Sequence, residues 1–151
     1  LADDEKISKG MVKVDGVWYT KEQISRMEKD AIEAQRLADL AEQRAMASVH
    51  ENELERKATL LLASVEKTVF QQPSGAISSL QKFQVSYPDY KNKATLESRL
   101  SFCKLIEEAL ALEKKGAMSK AIRVYEKALK LNPSQYLSEK IQKLDNETIG
   151  L

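Results

Sequence analysis

The side chains best suited to chemistry in this sequence are His50 and Cys103, and neither has a companion at a useful spacing. His50 is the single histidine, and the carboxylates after it, Glu51, Glu53 and Glu55, project from different faces of a helix. A zinc site needs several His or Cys ligands, and a cysteine nucleophile needs a nearby base. The sequence therefore predicts no catalytic, cofactor or metal site; His50 is interpreted as a surface residue and Cys103 as a small buried apolar side chain.

The remaining composition favours a helical chain that is not an enzyme. The five glycines are scattered, so none of them forms a phosphate-binding loop. Gly and Pro are few and 31% of the residues are charged, a composition typical of helical proteins. With a single cysteine, no internal disulfide can form. A net charge of +1 gives no reason to expect nucleic acid as a partner. No apolar run reaches the ~18–20 residues of a membrane span.

Residues 1–20 are predicted to form a flexible lead-in followed by a β-hairpin. Residues 1–10 are polar and show no periodicity, whereas residues 11–20 place two short β-prone runs on either side of Asp15-Gly16. An Asp-Gly pair supplies the positive φ angles of a type I′ turn. Trp18 then has two interpretations: a structural side chain that packs against the rest of the chain and stabilises the hairpin, or an exposed anchor for another protein.

Residues 21–52 are predicted to form a long helix with an alanine-rich seam. Thr20 and Gln23 have the spacing of a capping box, which marks the helix start. Small and apolar residues then follow at alternating steps of three and four: Ile24, Met27, Ala31, Ala34, Ala38, Ala41, Ala45 and Ser48. This heptad seam is compatible with a coiled-coil homodimer through residues 24–48, or with a helix that lies on its own chain or projects into solvent. A second capping box at Ser48–Glu51 leaves open whether the helix breaks there or continues to about Phe70.

A phrase that occurs twice, 45 residues apart, organises the rest of the chain. Residues 74–88 align without a gap on residues 119–133, and the identical positions are Ser74/Ser119, Ala76/Ala121, Ile77/Ile122, Lys82/Lys127 and Pro88/Pro133. Each copy is predicted to be one helix that a Ser caps and a Pro stops. A helix from about Asn92 to Lys115, ended by Gly116, lies between the copies, and a last amphipathic helix follows Pro133. Residues 145–151 are expected to fray.

Residues 102–135 resemble a tetratricopeptide repeat (TPR). The match rests on Ala109, Gly116, Ala121, Tyr125, Ala128 and Pro133, with Leu105 in place of the usual Trp. Residues 57–90 resemble a degenerate unit of the type found in bacterial envelope adaptors, with Phe83 in place of an Ala. The resemblance implies an all-α, TPR-like array of helical hairpins over residues 53–147, closed by a C-terminal capping helix. The offset of 45 residues exceeds the 34-residue TPR period by 11 residues, which is about three helical turns. The longer helix between the copies therefore still presents the same side to its neighbours.

The resemblance also implies a function, which is to hold another protein or peptide as a non-catalytic adaptor or scaffold. Ligands of the family often lie against the first helix of each hairpin, and the matching positions here are Cys103, Ile106, Leu110, Glu113 and Lys114. Ile106 and Leu110 are alternatively covered by the long N-terminal helix. A structural oligomer built through the alanine seam is the alternative function, and nucleic-acid binding through Lys-rich surface between Lys91 and Lys130 ranks last. A periplasmic or secreted location after signal removal is favoured over a cytoplasmic one.

Overall fold

The computed structural model describes residues 2–149, of which 80% are helical. This confirms a mostly helical chain with one short two-stranded hairpin. The elements are α1 (Asp3–Ser8), β1 (Val12–Val14), β2 (Val17–Tyr19), α2 (Lys21–Thr68), α3 (Pro73–Ser86), α4 (Lys93–Lys114), α5 (Met118–Leu131) and α6 (Gln135–Ile149). The chain divides between His50 and Glu51 into two compact units.

The predicted hairpin is present in the first unit. β1 and β2 are antiparallel, with Lys13 opposite Trp18, and Asp15 and Gly16 connect them. Both turn residues have positive φ angles, 48° and 81°, as a type I′ turn requires. Trp18 is half-buried, and the ammonium groups of Lys6 and Lys13 lie 5.6 and 5.8 Å from its ring centre. Two cations therefore flank the ring, which favours the structural interpretation of Trp18.

Helix α1 occupies a segment for which the sequence predicts no regular structure. Its first turn carries Asp3, Asp4 and Glu5, which suit the positive end of the helix dipole. It ends at Gly10, whose φ is +78°, and the Met11 N–H donates to the Lys6 carbonyl at 3.0 Å. This is the Schellman arrangement of a glycine-terminated helix. Residues 3–8 are therefore helical, which the absence of periodicity in residues 1–10 did not predict.

Helix α2 begins at the predicted capping box and does not break at Ser48. The Thr20 N–H donates to the Gln23 side chain at 2.8 Å, and the Gln23 N–H donates to the Thr20 hydroxyl at 3.1 Å. The helix is continuous over 48 residues. No Gly or Pro occurs between Gly16 and Pro73, so nothing interrupts the backbone hydrogen bonds at residues 48–51.

The second unit contains the core of the protein. Consecutive helices pack against each other in the pairs α3–α4, α4–α5 and α5–α6. The C-terminal part of α2 adds Leu54, Ala58 and Val65 to this core, and Val69, directly after the helix, adds a fourth side chain. Three pairs of residues that the alignment of the repeated phrase makes equivalent are buried in both copies: Ala76 and Ala121, Leu80 and Tyr125, Phe83 and Ala128.

Most ends of these helices lie where the sequence predicts them, but the two predicted serine caps are absent. Gly116 has φ +80° and ends α4 as predicted, with the Ala117 N–H donating to the Leu112 carbonyl at 2.9 Å. The predicted serine caps are wrong, because α3 begins at Pro73 and α5 at Met118, which leaves both serines inside the first turn. Proline at a first helical position needs no N–H partner. Helix α6 extends to Ile149, so residues 145–149 are helical, and the rest of the predicted frayed end lies outside the described residues.

Candidate functional site

Two of the sequence-predicted partner-binding residues lie in the core. Cys103 and Ile106 are fully buried on the face of α4 that packs into the second unit. A partner that binds the folded surface cannot contact side chains with no exposed area. The prediction that these two residues bind a partner is therefore wrong, and the prediction of Cys103 as a buried apolar side chain is confirmed.

Glu113 is part of a polar network inside the second unit. Its carboxylate accepts a hydrogen bond from the Tyr125 hydroxyl at 2.7 Å and lies 3.3 Å from the Lys140 ammonium. The same ammonium lies 5.6 Å from the centre of the Tyr125 ring. Burial, followed by the hydrogen bond to Glu113, raises the pKa of Tyr125 above its usual value. Glu113 thus links α4 to α5 and α6. Its carboxylate, which the sequence predicts to bind a partner, is already paired with Tyr125 and Lys140.

Leu110 and Lys114 line an open groove of about 610 Å³, which we name the turn groove. Its other walls are the α2–α3 connection and the exposed side of α4: Phe70, Gln71, Gln72, Pro73, Ser74, Gly75, Glu107 and Ala111. The Ser74 hydroxyl donates to the Glu107 carboxylate at 2.8 Å and so joins α3 to α4 at the groove floor. Lys114 is exposed and forms no ion pair within residues 2–149, so its charge is available to a ligand.

A second depression of about 330 Å³, which we name the aromatic pocket, adjoins the turn groove. The Phe70 ring lines it and lies 4.4 Å from the Tyr136 ring and 6.3 Å from the Phe102 ring, which it meets edge to face. The remaining lining comes from Val65, Glu66, Lys67, Val69, Gln71, Asn132 and Ser134. Tyr136 is 53% exposed, so an aromatic surface faces solvent at the start of α6. No local sequence pattern predicts this pocket, because its three rings are far apart in the chain.

The two depressions share a wall formed by Phe70 and Gln71. One side of that wall offers aromatic rings in tilted and edge-to-face contact, and the other offers Leu110 with the free ammonium of Lys114. An apolar side chain suits the aromatic pocket, and a neighbouring carbonyl or carboxylate suits Lys114. The arrangement can bind a polypeptide segment.

The alanine seam in the first unit faces solvent. Every seam residue from Met27 to Ser48 is exposed, and larger apolar side chains near it are exposed as well, including Ile32 at 70% and Val49 at 69%. Residues 24–48 therefore retain the surface that a homodimer would need, and the homodimer stays a prediction.

Cys103 yields a prediction about chemical reactivity. Burial raises the pKa of its thiol to about 11 from 9.0, so the neutral thiol dominates up to that pH. Near pH ~8 this shift lowers the reactive thiolate fraction about a hundredfold. We expect a maleimide reagent to modify the native chain at least ~100 times more slowly than the urea-unfolded chain. Equal rates in the two states, followed by mass spectrometry, would show that the α4 core opens readily.

Within residues 2–149, no group of three or more His, Cys, Asp or Glu side chains is placed to hold a metal ion. None of the helices in that range is both long enough and apolar enough to cross a membrane. Searches against protein-family models, curated proteins and solved structures find no match for this chain. The TPR resemblance thus rests on the residues quoted above.

Proposed function

We propose that this protein is a non-catalytic adaptor that holds a partner polypeptide on a TPR-like helical surface in its second unit. The observation that carries the proposal is the pair of adjoining depressions, the aromatic pocket and the turn groove. They combine exposed aromatic area, which is enriched at binding hot spots, with an unpaired lysine. Two of the predicted binding residues, Leu110 and Lys114, line the groove.

Burial supports the repeat interpretation of this surface. In a stacked hairpin array, small residues in the second helix of each hairpin allow close helix crossing. Ala76, Ala121 and Ala128 are all buried at such positions, and the buried Tyr125 ring fills the gap between neighbouring hairpins. In this proposal the end of α2 pairs with α3, α4 pairs with α5, and α6 is the capping helix. The envelope-type form of the first unit keeps a periplasmic or secreted location as our expectation.

A peptide selected against the chain tests this proposal. Random peptides displayed on phage are panned against the full chain, and the best binder is synthesised and titrated by fluorescence anisotropy. The groove variant, Ala111→Arg with Lys114→Glu, changes two exposed positions, puts a bulky side chain into the groove and reverses the charge at residue 114. We expect at least a ~10-fold loss of affinity in this variant.

The matched control is Ser138→Arg with Lys143→Glu, which makes the same net charge change at exposed positions of α6. It should bind within about twofold of the wild type. Selection that recovers no binder, or a binder that both variants hold as tightly as the wild type, would refute the groove as the binding surface.

The exposed seam supports structural oligomerisation as a second candidate function. A homodimer through residues 24–48 would give twice the 17.0 kDa chain mass by light scattering. Ala38→Glu on the seam should then return the mass to that of one chain, whereas Ala47→Glu, off the seam on the same helix, should not. A wild-type chain that stays monomeric at high concentration would eliminate this candidate.

A further inference from the structure

A row of four basic side chains runs along the outer face of α5. Lys120, Arg123, Lys127 and Lys130 follow each other at steps of three, four and three, so they share one side of the helix. All four are exposed. The opposite side of α5 is buried through Ala121, Val124, Tyr125 and Ala128. The basic row, which we name the α5 stripe, therefore lies on the solvent-exposed side of the helix.

None of the stripe residues forms an ion pair in the described part of the chain. The ion pairs there join Arg36 to Glu33, Arg56 to Glu53, Lys91 to Glu51 and Lys140 to Glu113. Glu126, the exposed carboxylate on α5, pairs with none of the four cations. Like charges three and four residues apart on a helix repel one another, so the stripe costs folding stability. A partner with opposite charge would remove that cost.

We propose that the α5 stripe binds an acidic α-helical segment of a partner protein. Steps of three, four and three are the heptad spacing, so a second helix with carboxylates at the same steps can lie along α5 and face each cation. The stripe is about 15 Å long, the length of three helical turns, and one residue wide. Leu131, 45% exposed at its end, adds an apolar contact.

The shape and composition of the stripe favour a helix over nucleic acid. Single-stranded nucleic acid binding uses aromatic side chains on which bases stack, and the one aromatic residue of α5, Tyr125, is fully buried. The whole chain carries a net charge of +1, which gives no long-range attraction for a polyanion. The stripe residues line neither the aromatic pocket nor the turn groove, so this surface is independent of the proposed adaptor site.

The test uses the full chain and a synthetic alanine-based helical peptide that carries four Glu at steps of three, four and three. Its fluorescein-labelled form is titrated at low ionic strength beside the same peptide with Gln in place of Glu. The stripe variant replaces the four cations by Gln, and the control variant makes the same replacement at Lys82, Lys93, Lys104 and Lys143, which are exposed on other helices. We expect the stripe variant to lose roughly tenfold or more in affinity and the control variant less than about threefold.

Three results would overturn the inference. The first is equal binding of the Glu and Gln peptides by the wild type, and the second is an equal loss in the stripe and control variants, which would indicate net charge alone. The third is tighter, stripe-dependent binding of a single-stranded oligonucleotide, a DNA duplex or phosphatidylserine vesicles. Circular dichroism melting of each variant confirms that the chains compared are folded.

Discussion

Replacing Tyr125 with alanine is expected to lower the free energy of unfolding by about 3–5 kcal/mol, the range for removing a large buried aromatic side chain. Tyr125 is the largest fully buried side chain of the core. Its ring fills space between α4, α5 and α6, and its hydroxyl donates to Glu113 at 2.7 Å. The substitution would leave a cavity and also remove one partner of the Glu113 carboxylate.

Tyr125→Phe separates those two effects. It keeps the ring and removes the hydrogen bond, while Lys140 still neutralises Glu113, so we expect a loss of about 1–2 kcal/mol. Urea denaturation followed by circular dichroism measures both variants. A Tyr125→Ala chain as stable as the wild type would contradict the tight packing around this ring.

The raised pKa of Tyr125 adds a pH dependence. The folded chain holds the hydroxyl proton more tightly than the unfolded chain does. The contribution of Tyr125 to the free energy of unfolding is therefore fully present below the usual pKa of 10.0. It is expected to fall as the pH rises above that value. The Tyr125→Phe chain should lose less stability over the same pH range, and an identical decline in both chains would argue against the buried network.

Tyr136→Ala is expected to abolish most binding of the phage-selected peptide, with a loss of at least ~2 kcal/mol, or roughly 30-fold in affinity. Tyr136 has the most exposed of the three rings in the aromatic pocket, and its ring centre lies 4.4 Å from that of Phe70. Removing it would open the pocket to water and leave Phe70 without this ring contact. The folding cost is smaller, about 0.5–1.5 kcal/mol, because the ring is half exposed.

Tyr136→Phe is the matched control, because it keeps the ring that the pocket uses and removes the hydroxyl alone. Its affinity for the same peptide should stay within about threefold of the wild type. Isothermal titration of the wild type, Tyr136→Ala and Tyr136→Phe with the peptide gives the three affinities. If Tyr136→Ala binds the peptide as tightly as the wild type, the aromatic pocket is not part of the binding surface.

Local signals in the sequence predicted those elements whose cause is also local. The Asp15-Gly16 turn, the Thr20–Gln23 capping box and the Gly116 helix end each depend on a few adjacent residues, and all three are present. The pattern of buried positions in the two repeated helices was predictable for the same reason. Apolar spacing at three and four identifies the inner face of a helix without knowledge of its neighbours.

Features that depend on distant contacts could not be predicted in this way. Ser74 has the form of a helix cap, but its hydroxyl donates to Glu107, and Pro73 starts the helix instead. Cys103 and Ile106 were assigned to a binding face by family analogy, whereas the packing of α4 places them in the core. The aromatic pocket collects Phe70, Phe102 and Tyr136 from three helix regions, so no sequence window contains it.

Amide hydrogen exchange of the full chain, with and without a saturating amount of the phage-selected peptide, tests the proposed binding surface most directly. We predict that the peptide slows exchange in residues 65–75, 102–114 and 132–136, which line the aromatic pocket and the turn groove. Exchange along α5 and in residues 21–50 should stay unchanged. Slower exchange confined to residues 21–50, or to α5, would contradict the proposal and place the partner on the alanine seam or on the α5 stripe.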